Sequence, residues 1–280
     1  MENSLKPAEF RTVITPPSGW APVDFRELWA FRELLYFLVL RNVKVKYKQT
    51  IIGIAWAVLQ PLVAMLVFTL FFGKLAKLPS DGLPYSIFAF IGLLPWTYFA
   101  TALQFSSTSL VTDSQLVKKI YFPRALLPAS TSVAALLDLA IATVFLLVLL
   151  RFYGFHLMAR MVWLPFFVML AFVTAFGFGL WLSAINVKYR DVQYTVPFLI
   201  QIWFFLTPVV YPSSMIPERL RFLLGLNPMA AVTEGFRWAL VNKPFPSAPM
   251  MLVSTLVAAA VLASGLYYFR RMENEFADVL

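Results

Sequence analysis

The chain reads RNVKVKYK from Arg41 to Lys48 and IIGIAWAVLQPLVAMLVFTLFF from Ile51 to Phe72. The first run places a cluster of cations at the mouth of the second, which is almost wholly hydrophobic and long enough to cross a bilayer, since a crossing needs about 20 helical residues. Cations at the mouth of a first spanning helix are favoured on the cytoplasmic side by the positive-inside bias and by anionic lipid. The passage therefore predicts an integral membrane protein whose N-terminus is cytoplasmic.

The composition supports a bilayer location. Of 280 residues, 60% are hydrophobic and 13% are charged, which does not fit a single soluble core. The net charge of +9 comes from cations at the ends of apolar segments rather than from a continuous stripe, so we expect no nucleic-acid binding. The sequence has no cysteine and a single histidine, His156, which excludes thiolate and histidine-based metal sites.

Six segments are long and apolar enough to span, and we expect an all-α membrane protein with six transmembrane helices. They are Ile51 to Phe72, Tyr85 to Leu110, Ala125 to Leu150, Met161 to Val187, Tyr194 to Tyr211, and Ser247 to Phe269. Six crossings place both termini in the cytoplasm, with fifteen of the 23 Lys and Arg residues on that side. We divide the chain into an N-terminal segment, residues 1–50, and a six-span domain, residues 51–280.

The N-terminal segment contains a predicted amphipathic helix from Asp24 to Leu40. Asp24 and Glu27 have the spacing of a capping box, and Pro22 breaks the chain just before them. Aromatic and apolar residues alternate with charged ones at helical spacing, as in a helix that lies in the membrane interface. A solvated helix packed on a soluble partner is the alternative.

Two loops on the cytoplasmic side are candidates for docking another protein. Asp113 to Tyr121 is predicted as a short helix, with Asp113 as N-cap and Pro123 as terminator. Its apolar anchors and their basic rim suit docking into a groove, and a loop resting on lipid headgroups is an equal alternative. The residues of this loop are Asp113, Leu116, Val117, Lys118, Lys119, Ile120 and Arg124, and those of the second, shorter loop are Tyr189, Arg190 and Asp191.

Between the fifth and sixth spans, residues 212–246 predict two short helices. Gly225 can end the first, while Asn227 and Pro228 suit the N-cap and first position of the second. Because Glu234 and Arg237 cannot lie unpaired in hydrocarbon, we expect a re-entrant hairpin that faces the protein interior. The charge pair is either structural or part of a gate.

Two features lie inside the predicted spans. Asp138 is an acid near the middle of the third span, which indicates either a bond to another helix or proton coupling. Ala175, Gly179 and Ser183 form a small-xxx-small face on the fourth span, which predicts close helix packing.

The same segments carry a family resemblance that covers nearly the whole chain. The chain resembles the ABC-2 type permeases that export polysaccharides. The matching residues are the run from Leu40 to Thr50 with Gly53, Trp56, Gln60-Pro61 and Phe68, then Gly92 to Trp96, Lys119 to Arg124, Tyr189 to Asp191, Thr207 to Val209 and Leu226 to Pro228.

This resemblance implies a transport subunit rather than an enzyme, in a bacterial inner membrane. It implies a dimer of this chain with two copies of a separate ATPase, which meets the N-terminal helix and the loop around Lys118 and Lys119. It further implies that a lipid-diphosphate-linked glycan passes between the two permeases. The sequence agrees with this division, because it contains no G-x-x-x-x-G-K-[ST] phosphate loop. ATP and Mg²⁺ are therefore expected on the partner ATPase, and we expect no cofactor on this chain.

Two residue sets follow from this assignment. Cations at the entrance could attract the diphosphate of the lipid carrier, and aromatic side chains could line a path by packing on sugar rings, although packing against lipid explains many of them equally well. The entrance cations are Arg41, Lys44, Lys46 and Lys48, and the aromatic set is Trp56, Phe68, Phe71, Phe72, Trp203, Phe204, Phe205 and Tyr211.

Two other functions remain open from the sequence. One is an ABC-2 exporter of a small drug or lipid, and the other is a membrane-embedded glycan transferase. A transferase should carry paired carboxylates on a water-facing loop. The expected outer acids, Asp81, Glu218 and Glu234, are too dispersed to form such a pair.

Overall fold

A computed structural model describes residues 29–48, 53–156 and 158–279, and these residues form helices and connecting turns without a β-strand. The predicted all-α class is confirmed. The helices are α1 (Arg32–Tyr47), α2 (Trp56–Phe68), α3 (Tyr85–Thr112), α4 (Ser114–Lys119), α5 (Leu126–Phe152), α6 (Leu164–Lys188), α7 (Val192–Leu206), α8 (Glu218–Leu224), α9 (Pro228–Leu240), α10 (Ala248–Met272) and α11 (Phe276–Val279).

Short turns of tighter or wider helix extend these elements. A 3-10 turn leads into α2 and a π-helical turn continues it, so that one helical stretch runs through all three. Further 3-10 turns precede α6, lie before α8 and join α10 to α11. The turns are Gly53–Ala55, Thr69–Leu75, Ala159–Trp163, Ser213–Met215 and Glu273–Glu275.

Five helical stretches within the described residues are long and apolar enough to cross a membrane. They are Gly53–Leu75, Tyr85–Thr112, Leu126–Phe152, Ala159–Lys188 and Ala248–Glu275. They coincide with five of the six predicted spans, with ends that differ by a few residues. The predicted fifth span, Tyr194 to Tyr211, is instead the 15-residue helix α7, which ends at Leu206, followed by turns and bends at residues 207–211.

Helix α3 forms the centre of the bundle. It packs against α2, α5, α6, α7 and α9, and 78% of its most apolar window is buried within the chain. The corresponding window of the stretch Gly53–Leu75 is only 11% buried. One membrane helix is therefore enclosed by its own chain, and another presents most of its surface outward.

Small residues allow α6 to approach two neighbours closely. A methyl group built on Gly179 would lie 2.7 Å from Cβ of Ser106 on α3, which explains the predicted small-residue face. On another side of α6, a methyl group on Gly265 of α10 would lie 2.5 Å from the carbonyl oxygen of Gly177. The sequence does not predict this second contact, because Gly177 and Gly265 lie on different helices and far apart in the chain.

A second apolar core, which we call the end cluster, ties together one end of the bundle. It contains residues from α1, α3, α4, α5, α6, α10 and α11. Its buried members are Leu38, Leu110, Val117, Phe122, Leu126, Leu127, Leu180, Ala184, Val187, Phe269 and Phe276. Both predicted docking loops lie next to this cluster, at the same end of the bundle.

The N-terminal prediction is only partly covered by the structure. The capping box at Asp24 and Glu27 lies outside the described residues. Helix α1 runs to Tyr47 and so includes most of the cationic run, whereas the predicted amphipathic helix ends at Leu40. One side of α1 is buried through Leu38, while Tyr36 and Phe37 are exposed.

Candidate functional site

Two of the four entrance cations are paired with carboxylates. Arg41 Nη2 lies 2.5 Å from Asp113 Oδ2, and Lys46 Nζ is bonded to Asp138. Lys44 and Lys48 are exposed, and no carboxylate of the described residues lies within ion-pair distance of either. The four cations therefore do not form one set of free charges, since Arg41 and Lys46 hold α1 against the bundle.

Asp138 anchors α1 to the third predicted span. It accepts hydrogen bonds from the Lys46 ammonium and the Tyr47 hydroxyl, both on α1. Burial, together with the hydrogen bond to Asp138, raises the pKa of Tyr47 above its ordinary value, so the phenol stays protonated and remains a donor. Of the two roles open for Asp138, the structure shows the bond to another helix.

The Asp113 side chain does not cap α4 as expected. Asp113 stands at the N-cap position, but its carboxylate accepts from Arg41, and only its backbone carbonyl accepts from α4. A further bond at 3.0 Å joins Asn42 Nδ2 to Ser130 Oγ on α5. The C-terminal half of α1 is thus attached to the bundle by polar contacts with Asp113, Ser130 and Asp138.

A cavity of about 460 Å³ lies between α1, α3 and α5, next to these contacts. Both ion pairs contribute to its lining, and most of its remaining surface is apolar with several hydroxyl groups. The hydroxyl-bearing and aromatic residues that line it are Tyr47, Thr101, Phe105, Thr108, Ser109, Thr112 and Thr131. Arg41 and Lys46 therefore line this cavity and are also partly exposed at the protein surface.

The loop at α4 exposes less apolar surface than predicted. Val117 is 3% exposed and belongs to the end cluster, so it cannot serve as an exposed anchor, and Leu116 is half-buried. The side chains presented outward are Lys118, Lys119, Ile120 and Tyr121. The sequence could not show this, because helical spacing does not tell which apolar residues of a six-residue helix face the core.

The second predicted loop is an exposed turn between α6 and α7. Tyr189, Arg190 and Asp191 are all exposed, and the Asp191 carbonyl accepts from the first turn of α7. Because Val187 and Val117 share the end cluster, this turn and the α4 loop lie on one end of the molecule. Together they form one surface, which we call the basic end surface, and its exposed cations are Lys118, Lys119, Lys188 and Arg190.

The aromatic set divides into packed and exposed members. Phe204 stacks on Phe68 with ring centroids 5.6 Å apart, which joins α7 to α2, and Trp203 packs edge-on against Phe99 at 4.9 Å. By contrast, Trp56, Phe71 and Phe205 are about half exposed, and Phe72 and Tyr211 are partly buried. Phe68, Trp203 and Phe204 are therefore part of the helix packing, and the outward aromatic surface is formed by Trp56, Phe71 and Phe205.

A buried arginine holds the break in helical structure after α7, which consists of turns and bends at residues 207–211. Arg237 is 1% exposed, and its two terminal nitrogens each lie 2.6 Å from a backbone carbonyl, those of Pro208 and Val209. Its Nη1 also lies 2.8 Å from Glu234 Oε1, and the guanidinium stacks over the Phe88 ring at 3.7 Å. The Glu234–Arg237 pair thus has a structural role in fixing this break.

Asn227 and Tyr85 satisfy further polar groups of the same break. The Asn227 side chain caps α9 by accepting from Met229 N at 3.1 Å, as predicted. It also accepts from Trp203 Nε1 and donates to Thr207 Oγ1, while the Tyr85 hydroxyl donates to the Val210 carbonyl at 2.6 Å. Non-helical backbone at membrane depth requires such internal partners.

The arrangement offers attachment surfaces and apolar faces. Across the described residues, no three His, Asp or Glu side chains come close enough together to hold a metal ion. The main features of the arrangement are the basic end surface, the polar contacts of α1, the outward face of α2, and the break in helical structure after α7 that Arg237 holds.

The family model of the ABC-2 type transporter matches residues 33–241. This range carries all of these features, and it excludes the first part of the N-terminal segment, α10 and α11. The chain belongs to the ABC-2 type transporter family. An O-antigen export system permease protein from Myxococcus xanthus is 31% identical over 255 residues, which cover 90% of this chain and 97% of that protein. A permease protein of the same description from Klebsiella pneumoniae is 27% identical, with 89% and 95% covered. A polysialic acid transport protein from Escherichia coli is 22% identical, with 85% and 92% covered.

Proposed function

We propose that this chain is the permease subunit of an ATP-driven exporter that moves lipid-linked polysaccharide out of the cytoplasm across the bacterial inner membrane. The observation that carries the proposal is the similarity to O-antigen export permeases over nearly the full length of both chains. Membership of the ABC-2 family and the multi-pass helical fold support it. A small-molecule exporter would share the fold but not this set of relatives.

We infer that α7 and the backbone after it together make the fifth of six crossings. A 15-residue helix is about 22 Å long at 1.5 Å per residue, which falls short of a hydrocarbon core of about 30 Å. The turns at residues 207–211 continue the chain beyond α7, and they can lie at membrane depth because Arg237, Asn227 and Tyr85 satisfy their carbonyl and hydroxyl groups. The helices α8 and α9 then form a re-entrant hairpin, and both termini are cytoplasmic.

The basic end surface is the proposed docking site for two copies of an ATPase subunit, which bind ATP and Mg²⁺. Its exposed cations and its Ile120 and Tyr121 side chains suit a groove lined by apolar residues with an acidic rim. A second copy of this chain is the proposed partner of the outward face of α2, where Trp56 and Phe71 are exposed. Glycan would pass between the two copies, along aromatic faces.

Deletion of this chain from its native cell provides the test of the proposed cargo. We expect polymer attached to its lipid carrier to accumulate inside the cell and surface polysaccharide to be lost. Re-expression of the chain should restore both. Normal surface polysaccharide after deletion would contradict the proposal and favour the small-molecule exporter, whereas a failure to synthesise the polymer would favour the transferase.

The two entrance cations that pair with no carboxylate of the described residues, Lys44 and Lys48, give a sharper prediction about the diphosphate. Replacing Lys44 and Lys48 by glutamine should reduce export several-fold without loss of folded protein, because neither side chain pairs with a carboxylate of the described residues. The matched control is Lys74→Gln with Lys77→Gln, two exposed lysines near the opposite end of the span. Surface polysaccharide would be quantified at equal permease abundance, and full export from the Lys44 and Lys48 variant would exclude a role for these charges.

A further inference from the structure

The segment that follows α10 is bonded to the loop between α4 and α5. The backbone N–H of Arg124 donates to Glu273 Oε1 at 3.1 Å, and the Arg124 guanidinium donates to the Glu273 backbone carbonyl. The other carboxylate oxygen of Glu273 accepts from Arg270 at 2.8 Å. Glu273 thus links the last turn of α10 to a residue 149 positions earlier in the chain.

Phe276 adds an apolar contact to this polar one. Its side chain is completely buried, packs edge-on against Phe269 with centroids 5.2 Å apart, and belongs to the end cluster with Val117 and Phe122. The Arg124 guanidinium lies over the Phe276 ring, 5.9 Å from its centroid. The same arginine therefore contacts both Glu273 and Phe276.

The α4 loop has little internal support of its own. Helix α4 has six residues, a length at which an isolated helix is unstable in water, and its N-cap side chain makes no capping bond. The backbone becomes extended at Ile120, directly after the helix. What fixes the loop must therefore come from outside it.

We propose that Glu273 and Phe276 form a clamp that holds the α4 loop in the orientation required for coupling to the ATPase. The clamp contacts the loop at Arg124 and through the end cluster, which contains the buried Val117 and Phe122. The side chains of Lys118, Lys119 and Ile120 then face outward. Glu273 and Phe276 are positioning residues, since they act through the loop rather than on cargo or nucleotide. The role of the loop in coupling rests on the proposed function, but the clamp itself does not.

The clamp is testable on the permease alone, because the chain contains no native cysteine. A spin label on Lys119→Cys in the full chain, reconstituted in lipid nanodiscs, reports the mobility of the loop. We expect Phe276→Ala to raise the mobile fraction of the label several-fold, because it removes the ring under Arg124 and part of the end cluster that contains Val117. Glu273→Ala, which leaves the apolar packing intact, should give a smaller rise. The control is Glu275→Gln, an exposed residue in the same turn, and should leave the spectrum unchanged.

Surface polysaccharide is the second measurement, made with the same clamp variants lacking the label. Raised loop mobility together with reduced export, at equal abundance of inserted permease, would support the clamp and its purpose. A label as immobile in both clamp variants as in the native background would overturn the clamp. Raised mobility with full export would overturn its purpose in coupling. Failure of the wild-type chain to retain an ATPase on purification would instead contradict the proposed function, and the nanodisc spectra would still decide whether the clamp exists.

Discussion

Replacement of Arg237 by leucine is expected to destabilise the protein by about 3–5 kcal/mol, because it removes the positive partner of a buried pair. The substitution would leave the carbonyls of Pro208 and Val209 without their donor and Glu234 without its cation. We expect most of the variant to be lost as aggregate, with a sharply lowered melting temperature in the fraction that remains. Size-exclusion chromatography and thermal unfolding in detergent would measure both.

Two further variants define the cause. Arg237→Lys keeps the charge but lacks the planar fork that serves two carbonyls at once, so it should recover only part of the stability. Arg219→Leu, which removes an exposed arginine of α8, should melt close to the wild type. A normal melting temperature for Arg237→Leu would show that the break after α7 is held by something other than the guanidinium.

The second large effect is expected at the contact between α1 and α5. Lys46→Gln leaves the Asp138 carboxylate with the Tyr47 hydroxyl but without its cation, and we expect a cost of about 1–3 kcal/mol, the range for a buried polar group that loses a partner. Asp138→Asn alone should cost less, because a neutral amide needs no cation. Combining the two substitutions should recover most of the stability lost by Lys46→Gln, which is the signature of direct coupling between two residues.

The control for this cycle is Lys48→Gln with the same Asp138→Asn substitution. Lys48 lies two residues away, is exposed and is not bonded to Asp138, so the two changes should be additive. Thermal unfolding of all variants in one lipid composition provides the comparison. Additivity between Lys46→Gln and Asp138→Asn would contradict the ion pair.

The spans were predictable because hydropathy and length act locally. Five of the six predicted segments are long apolar helices, and the Asn227 cap stands where the sequence placed it. The fifth segment misled because apolar composition continues to Tyr211 while the helix ends at Leu206. The tertiary partners Arg237, Asn227 and Tyr85 satisfy the polar groups of the turns there, and their positions along the chain do not reveal those contacts.

The candidate site was less predictable than the spans. The cationic run was recognised, but the carboxylates that pair with Arg41 and Lys46 lie 72 and 92 residues away. The same limit applies to Val117, which was expected on the surface and is buried by α10 and α11 residues such as Phe269 and Phe276. Burial of this kind depends on which helix ends meet, and a single sequence carries little information about it.

The central claim is that this chain is the membrane half of a transporter whose energy comes from a separate ATPase. The most direct test is to purify the tagged chain from its native membrane, identify the ATPase that accompanies it, and measure hydrolysis with and without lipid-linked polymer. We predict that the complex hydrolyses ATP faster when polymer is added, and that the isolated chain neither hydrolyses ATP nor moves polymer into vesicles. Polymer transport by the isolated chain, without any ATPase, would contradict the account.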